Sequence, residues 1–135
     1  MNTLKIGFAA ICAGVVMWVV AGLWHNLILP GLYASRHPAH EGIGLLLVAY
    51  LILGAFMAAL YPRLSLWRQG LLGGALFGAI IGVLWVFPHE LALAGAHGTS
   101  LWYVLKNAAW HLVEQSFGGA VIGAILQHRQ ASSSR

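Results

Sequence analysis

Charge is what this sequence lacks most. Of its 135 residues only ten are charged, seven Lys or Arg and three Asp or Glu, while 60% are hydrophobic. An ordinary soluble domain carries roughly a quarter charged residues. A chain of this composition has no means of covering its apolar surface with polar groups in water. That excludes a soluble enzyme, a nucleic-acid binder and a disordered tail, and makes the lipid bilayer the expected partner. There is a single cysteine, Cys12, inside an apolar run, so an internal disulfide framework is ruled out. The formal net charge of +4 would point to an anionic partner in a soluble protein. Here it reads as topology, because basic residues collect on the cytoplasmic side of membrane spans.

What the sequence has in quantity is uncharged apolar stretches. A bilayer core of about 30 Å takes about 20 helical residues. Four spans are predicted, at about residues 4–29, 42–61, 70–95 and 101–126. The fourth is the least pure, being interrupted by Lys106, His111 and Glu114. Residues 1–129 are expected to form the transmembrane domain and residues 130–135 a polar, serine-rich tail. The first span is not read as a cleaved leader. Lys5 gives it a small basic start, but no small-x-small cleavage site follows, and Ile11 is too large for a lipoprotein site before Cys12.

Lys5, Arg63, Arg68, Arg129 and Arg135 fall on one side of these spans, and only Arg36 and Lys106 on the other. Both termini are therefore predicted in the cytoplasm of a cell with this protein in its inner membrane. The expected fold is all-α, an integral membrane four-helix bundle. Gly22-Leu23-Trp24 resembles Val83-Leu84-Trp85, and Leu53-Gly54-Ala55 resembles Phe117-Gly118-Gly119-Ala120. Two readings stay open: two parallel helical-hairpin repeats, or the plain recurrence of Gly, Ala, Leu and Trp in a small membrane protein.

Gly70, Gly74, Gly78 and Gly82 recur every four residues in the third span, and Gly119 and Gly123 repeat the spacing in the fourth. Small residues at this interval let helix backbones approach closely, so they are a packing signal with no chemistry of their own. At about 100° per residue, Trp85 and His89 are expected on the glycine side of the third helix. Asn107, His111, Glu114 and Gly118 share one face of the fourth, and Gly14, Trp18 and His25 one arc of the first.

The histidines carry the most information. His25, His37, His40, His89, His97 and His111 fall on or toward the outer side, with all three glutamates, Glu41, Glu90 and Glu114; only His128 is inner. Ionisable groups at membrane depth are costly and mark functional sites by default. Three chemistries compete. His25, His89 and His111 with Glu114 or Glu90 could bind zinc, copper, iron or nickel. His25 and His111 could hold a b-type haem lined by Trp24, Trp85 and Trp110. His111 and Glu114, with Asn107 one turn away, could form a proton relay in a transporter. Beside these stands a plain reading. His37, His40 and His97 suit loops near lipid headgroups, the tryptophans suit an aromatic belt, and His25 and His89 can hydrogen-bond between helices.

Gly22-Leu23-Trp24 closing the first span, the glycine-rich third span and Leu101 to Asn107 opening the fourth together resemble an uncharacterised family of small four-span bacterial membrane proteins. The resemblance implies fold more than activity. Small multidrug exporters are similar in size but place a glutamate in the first span, where this chain has none. The leading expectation is a small membrane binding protein or transporter with an outer-side His/Glu site for a metal ion or protons, self-associating or docked in a larger complex. The alternatives are an accessory subunit of a respiratory or photosynthetic complex and a haem b electron-transfer protein.

Overall fold

The computed structural model describes residues 2–28, 40–64 and 70–127. Arg36, His37, Trp67, Arg68, His128, Arg129, Arg135 and the tail 130–135 lie outside the described residues. Helix α1 runs over Thr3–Leu23 and continues as a π-helical turn, Trp24–Ile28. Helix α2 covers His40–Leu60 and ends in a 3-10 turn, Tyr61–Arg63; α3 covers Gly70–His97 and α4 Leu101–Gln127. Among the described residues there is no strand, and the fold is an all-α bundle of four helices. In lipid every backbone N–H and C=O must be satisfied within the chain, which helices do by themselves.

Three stretches are long and apolar enough to cross a membrane: Thr3–Leu27, Gly42–Arg63 and Gly70–His97. Helix α4 has 27 residues, about 40 Å at 1.5 Å per residue, but Lys106, Asn107, His111, Glu114 and Gln115 make it the least apolar of the four. Its ends are defined locally. Gly98, at φ +69°, closes α3 by donating its N–H to Ala94 O at 2.9 Å. Ser100 Oγ then accepts from Tyr103 N at 3.3 Å to start α4. This short reversal lays α4 antiparallel along α3. At the other terminus Asn2 Oδ1 caps α1 by accepting from Leu4 N at 3.0 Å.

Each hairpin is sealed by glycine. On α3, a Cβ added at Gly74 would meet Gly119 O, one at Gly78 would meet Gln115 O, and one at Gly82 would meet His111 O. On α4, Gly119 and Gly123 stand against the carbonyls of Gly74 and Gly70 in the same way. Between α1 and α2, Gly14 lies on Leu51 and Tyr50, and Gly54 on Ala10 and Gly14. Carbonyl oxygens thus sit directly on Cα–H groups, a contact worth perhaps 0.5–1 kcal/mol each. The two hairpins meet through α1 and α4, where Met17 lies over Gly118 and Lys5 Nζ donates to Leu126 O at 3.3 Å.

Helices α2 and α3 approach each other through Tyr61 at the end where α1 begins and α4 finishes, the terminal end of the bundle. Tyr61 is fully buried, stacks at a tilt on Phe77 with centroids 5.3 Å apart, and donates its hydroxyl to Gly70 O at 3.0 Å. Around it Ala9, Ala13, Met17, Leu53, Met57, Phe77, Ile122 and Leu126 form the apolar core. The core therefore occupies the terminal half of the bundle.

Helix α3 passes through Pro88 without interruption and extends to His97, two residues beyond the predicted end. Trp85 and His89 are exposed, not at the helix interface as the phase argument expected. The reason is drift. Steps of four residues advance about 40° around a helix with 3.6 residues per turn. The contact line follows that drift from Gly78 to Gly82 and Val86, all buried, and leaves Trp85 and His89 beside it.

Replacing Gly78 by Val should separate α3 from α4, because the new side chain meets backbone that cannot rotate away. The expected loss is about 1–3 kcal/mol or more, read as thermal or denaturant unfolding in detergent. Gly95→Ala, at a position with open space, should change it little. Equal effects at the two positions would contradict the packing described.

Candidate functional site

The site begins with a carboxylate where none is cheap. Glu114 is 0% exposed and sits thirteen residues from either end of α4 (Leu101–Gln127), about 20 Å from each. It is held between α4 and α1, on the helix face that also carries Asn107, Trp110 and Gly118. Glu114 Oε1 accepts from Gln115 Nε2 at 3.1 Å, inside the bundle. His111 Nδ1 lies 3.7 Å from the same oxygen, one turn along α4. That distance is too long for a hydrogen bond and right for an ion pair when the imidazole is protonated.

The π-helical turn at the end of α1 completes the group. A wider turn brings neighbouring side chains closer in angle, and such turns are frequent at functional sites. Trp24, its first residue, stacks on Trp110 of α4 with ring centroids 3.9 Å apart and planes 7° from parallel. The next residue, His25, is half-buried and lies within electrostatic reach of both Glu114 and His111. Asn26 Nδ2 donates back to Gly22 O at 2.8 Å, tying down the turn.

The other expected residues are placed as follows. Asn107 is buried on α4 and engaged within the fold. His89 is exposed and Glu90 half-buried on α3, and neither joins His25, His111 and Glu114. Among the described residues, no three His, Cys, Asp or Glu side chains are grouped so that they could hold a metal ion. The indoles expected to line a haem behave differently from one another. Trp24 and Trp110 are in direct contact, with no room for a planar group between them, and Trp85 is 62% exposed. Trp85 and Trp102 lie on the surface, with Lys106 Nζ 5.7 Å over the Trp102 ring. Gly70, Gly74, Gly78 and Gly82 face α4, away from any chemistry.

Sequence reasoning missed Gln115 and the pairing of Trp24 with Trp110. A second polar residue beside Glu114 in an otherwise apolar stretch was the available signal for Gln115. Nothing in the sequence announced the π-helical turn. Comparison with protein-family models, with curated proteins and with solved structures finds no match for the chain, so the site is read on its own geometry.

The indole stack joins α1 to α4 beside the carboxylate, and its contribution is measurable. Trp110→Ala should cost about 3–5 kcal/mol and abolish the exciton signal of the pair in the near-ultraviolet circular dichroism. A double-mutant cycle of Trp24→Ala with Trp110→Ala should return a coupling of about 0.5–1.5 kcal/mol. Trp102→Ala, on the surface, should leave both signals in place. A Trp110→Ala variant as stable as Trp102→Ala would contradict the stack.

Proposed function

We propose that this chain is a small integral membrane binding protein or transporter coupled to protons through Glu114. One observation carries the reading: a fully buried carboxylate at the middle of a long helix, with Oε2 free of any hydrogen-bond partner among the described residues. A carboxylate so placed is expensive to keep without a use. Protonated, Glu114 is neutral and compatible with its apolar walls. Deprotonated, it relies on the Gln115 amide at 3.1 Å and on the His111 imidazole at 3.7 Å. Histidine exchanges protons in the physiological range, so His111, 3.7 Å from Glu114 Oε1, can exchange a proton with it after a small side-chain rotation.

The metal-ion reading of the same residues is the weaker one, since His89 and Glu90 lie apart from the other donors. The distribution of basic residues supports an inner-membrane location with both termini cytoplasmic. On that topology Glu114 lies near the bilayer midplane, and the Trp24 end of the bundle faces outward.

The test uses purified protein in lipid vesicles under an imposed potassium diffusion potential, with a trapped pH-sensitive dye. Wild-type protein should carry protons. Dicyclohexylcarbodiimide, which condenses with protonated carboxyl groups in apolar surroundings, should stop the flux and leave an adduct on Glu114. Glu114→Gln should lower the flux to that of protein-free vesicles while remaining folded, because the amide matches the carboxyl in shape and hydrogen-bonding capacity and a neutral His111 leaves no unpaired charge. His111→Ala should slow the flux by roughly tenfold or more. Wild-type flux equal to that of Glu114→Gln, with no adduct on Glu114, would overturn the reading. If the protein also migrates in a large assembly, the accessory-subunit reading takes its place.

A further inference from the structure

Five buried side-chain atoms have no hydrogen-bond partner among the described residues: Nε1 of Trp24, Nε1 of Trp110, Nδ1 of His111, Oε2 of Glu114 and Oε1 of Gln115. They fall on one stretch of α4 and the α1 residue stacked on it. Four come from residues 110 to 115 of α4, and the fifth from the indole stacked on Trp110. Buried polar groups are almost always satisfied, and a cluster of exceptions asks for a ligand.

The chemistry of the five atoms selects that ligand. The two indole nitrogens are donors only, and the Glu114 and Gln115 oxygens are acceptors when Glu114 is ionised. The imidazole nitrogen can serve as either. A cation would leave the indoles unsatisfied, and an anion would be repelled by Glu114. Water both donates and accepts, and buried water characteristically bridges two to four such groups.

The other side of Glu114 is different in kind. Toward the terminal end α4 presents Gly118, Ile122 and Leu126, facing Met17, Ala13 and Ala9 of α1 with Met57, Tyr61 and Phe77 behind. The polar side-chain groups in and against this cluster are two phenols: Tyr61, which donates to Gly70 O, and the half-buried Tyr50, engaged within the fold. Met17 over Gly118 forms the first apolar layer below the carboxylate.

We propose that the five atoms bind a small cluster of water that opens Glu114 to the Trp24 end of the bundle only. The Met17–Tyr61–Phe77 core is the dry barrier on the other side. The water site stands on the orphaned atoms. Its use as a one-sided proton entry rests on the reading of Glu114 as a proton-binding group.

X-ray hydroxyl-radical footprinting of the full chain in lipid nanodiscs tests this directly, since radicals formed from bound water oxidise the side chains beside it. Trp24 and Trp110 should be oxidised several-fold faster than Met17 and Met57, although thioethers are intrinsically the more reactive. Unoxidised Trp24 and Trp110 would overturn the water site. Oxidation of Met17 and Met57 as fast as that of the indoles would overturn the one-sided access. Labelled indoles in a protein without Glu114-dependent proton flux would remove the proton reading and leave the water site standing. Flux with unlabelled indoles would do the reverse.

Discussion

The structure depends on backbone contact between α3 and α4. Lipid cancels the hydrophobic drive that joins helices in water, so association falls to close packing and to short polar contacts. Here the carbonyls of His111, Gln115 and Gly119 rest on Gly82, Gly78 and Gly74. One side of α4 is thus bound through its backbone, with few side chains committed to that contact. The adjoining side, about 100° around the helix, is left to carry Trp110 and Glu114 against α1. The least apolar helix of the four holds its place because its neighbour is the richest in glycine.

That division of labour separates the bundle into two halves. In the terminal half, Tyr61, Phe77, Met17, Met57 and Ile122 pack as an apolar plug that draws in all four helices. In the other half the same pair, α1 and α4, exchanges methionine and alanine for indole, imidazole, carboxamide and carboxylate. The π-helical turn at Trp24–Ile28 falls at this second half. There it presents two consecutive residues, Trp24 and His25, to α4, which a regular turn spreads farther apart.

Composition and span length made the membrane bundle legible, because a chain with ten charges in 135 residues has few other ways to fold. The depth of Glu114 and its proximity to His111 were legible for the same reason: both lie on one helix, where spacing alone sets distance. Groups on different helices were harder. His25 is brought to the Glu114 side of the bundle by a helix–helix crossing and a π-helical turn, and His89 is kept from it because the contact line drifts around α3. Trp24 and Trp110 read as belt residues or as the walls of a haem pocket, and their direct stacking is neither. Only the crossing of α1 with α4 brings them together, and a crossing is a property of two surfaces, which no single stretch of sequence encodes.

The glycine stripe has one further consequence. A surface that repeats every four residues looks nearly the same after a slide of four residues, about 6 Å, with a rotation of about 40°, so it specifies which helices touch without specifying where. Alignment has to come from something that does not repeat. Gly70 supplies it: at φ +58° it opens α3, the Gln127 side chain occupies the space its own side chain would fill, and its carbonyl receives the Tyr61 hydroxyl. Slide α4 by four residues and Gln127 leaves Gly70 while every glycine still finds a backbone to rest on. The stripe works as an unmarked ruler, and the loop end of α3 is its zero.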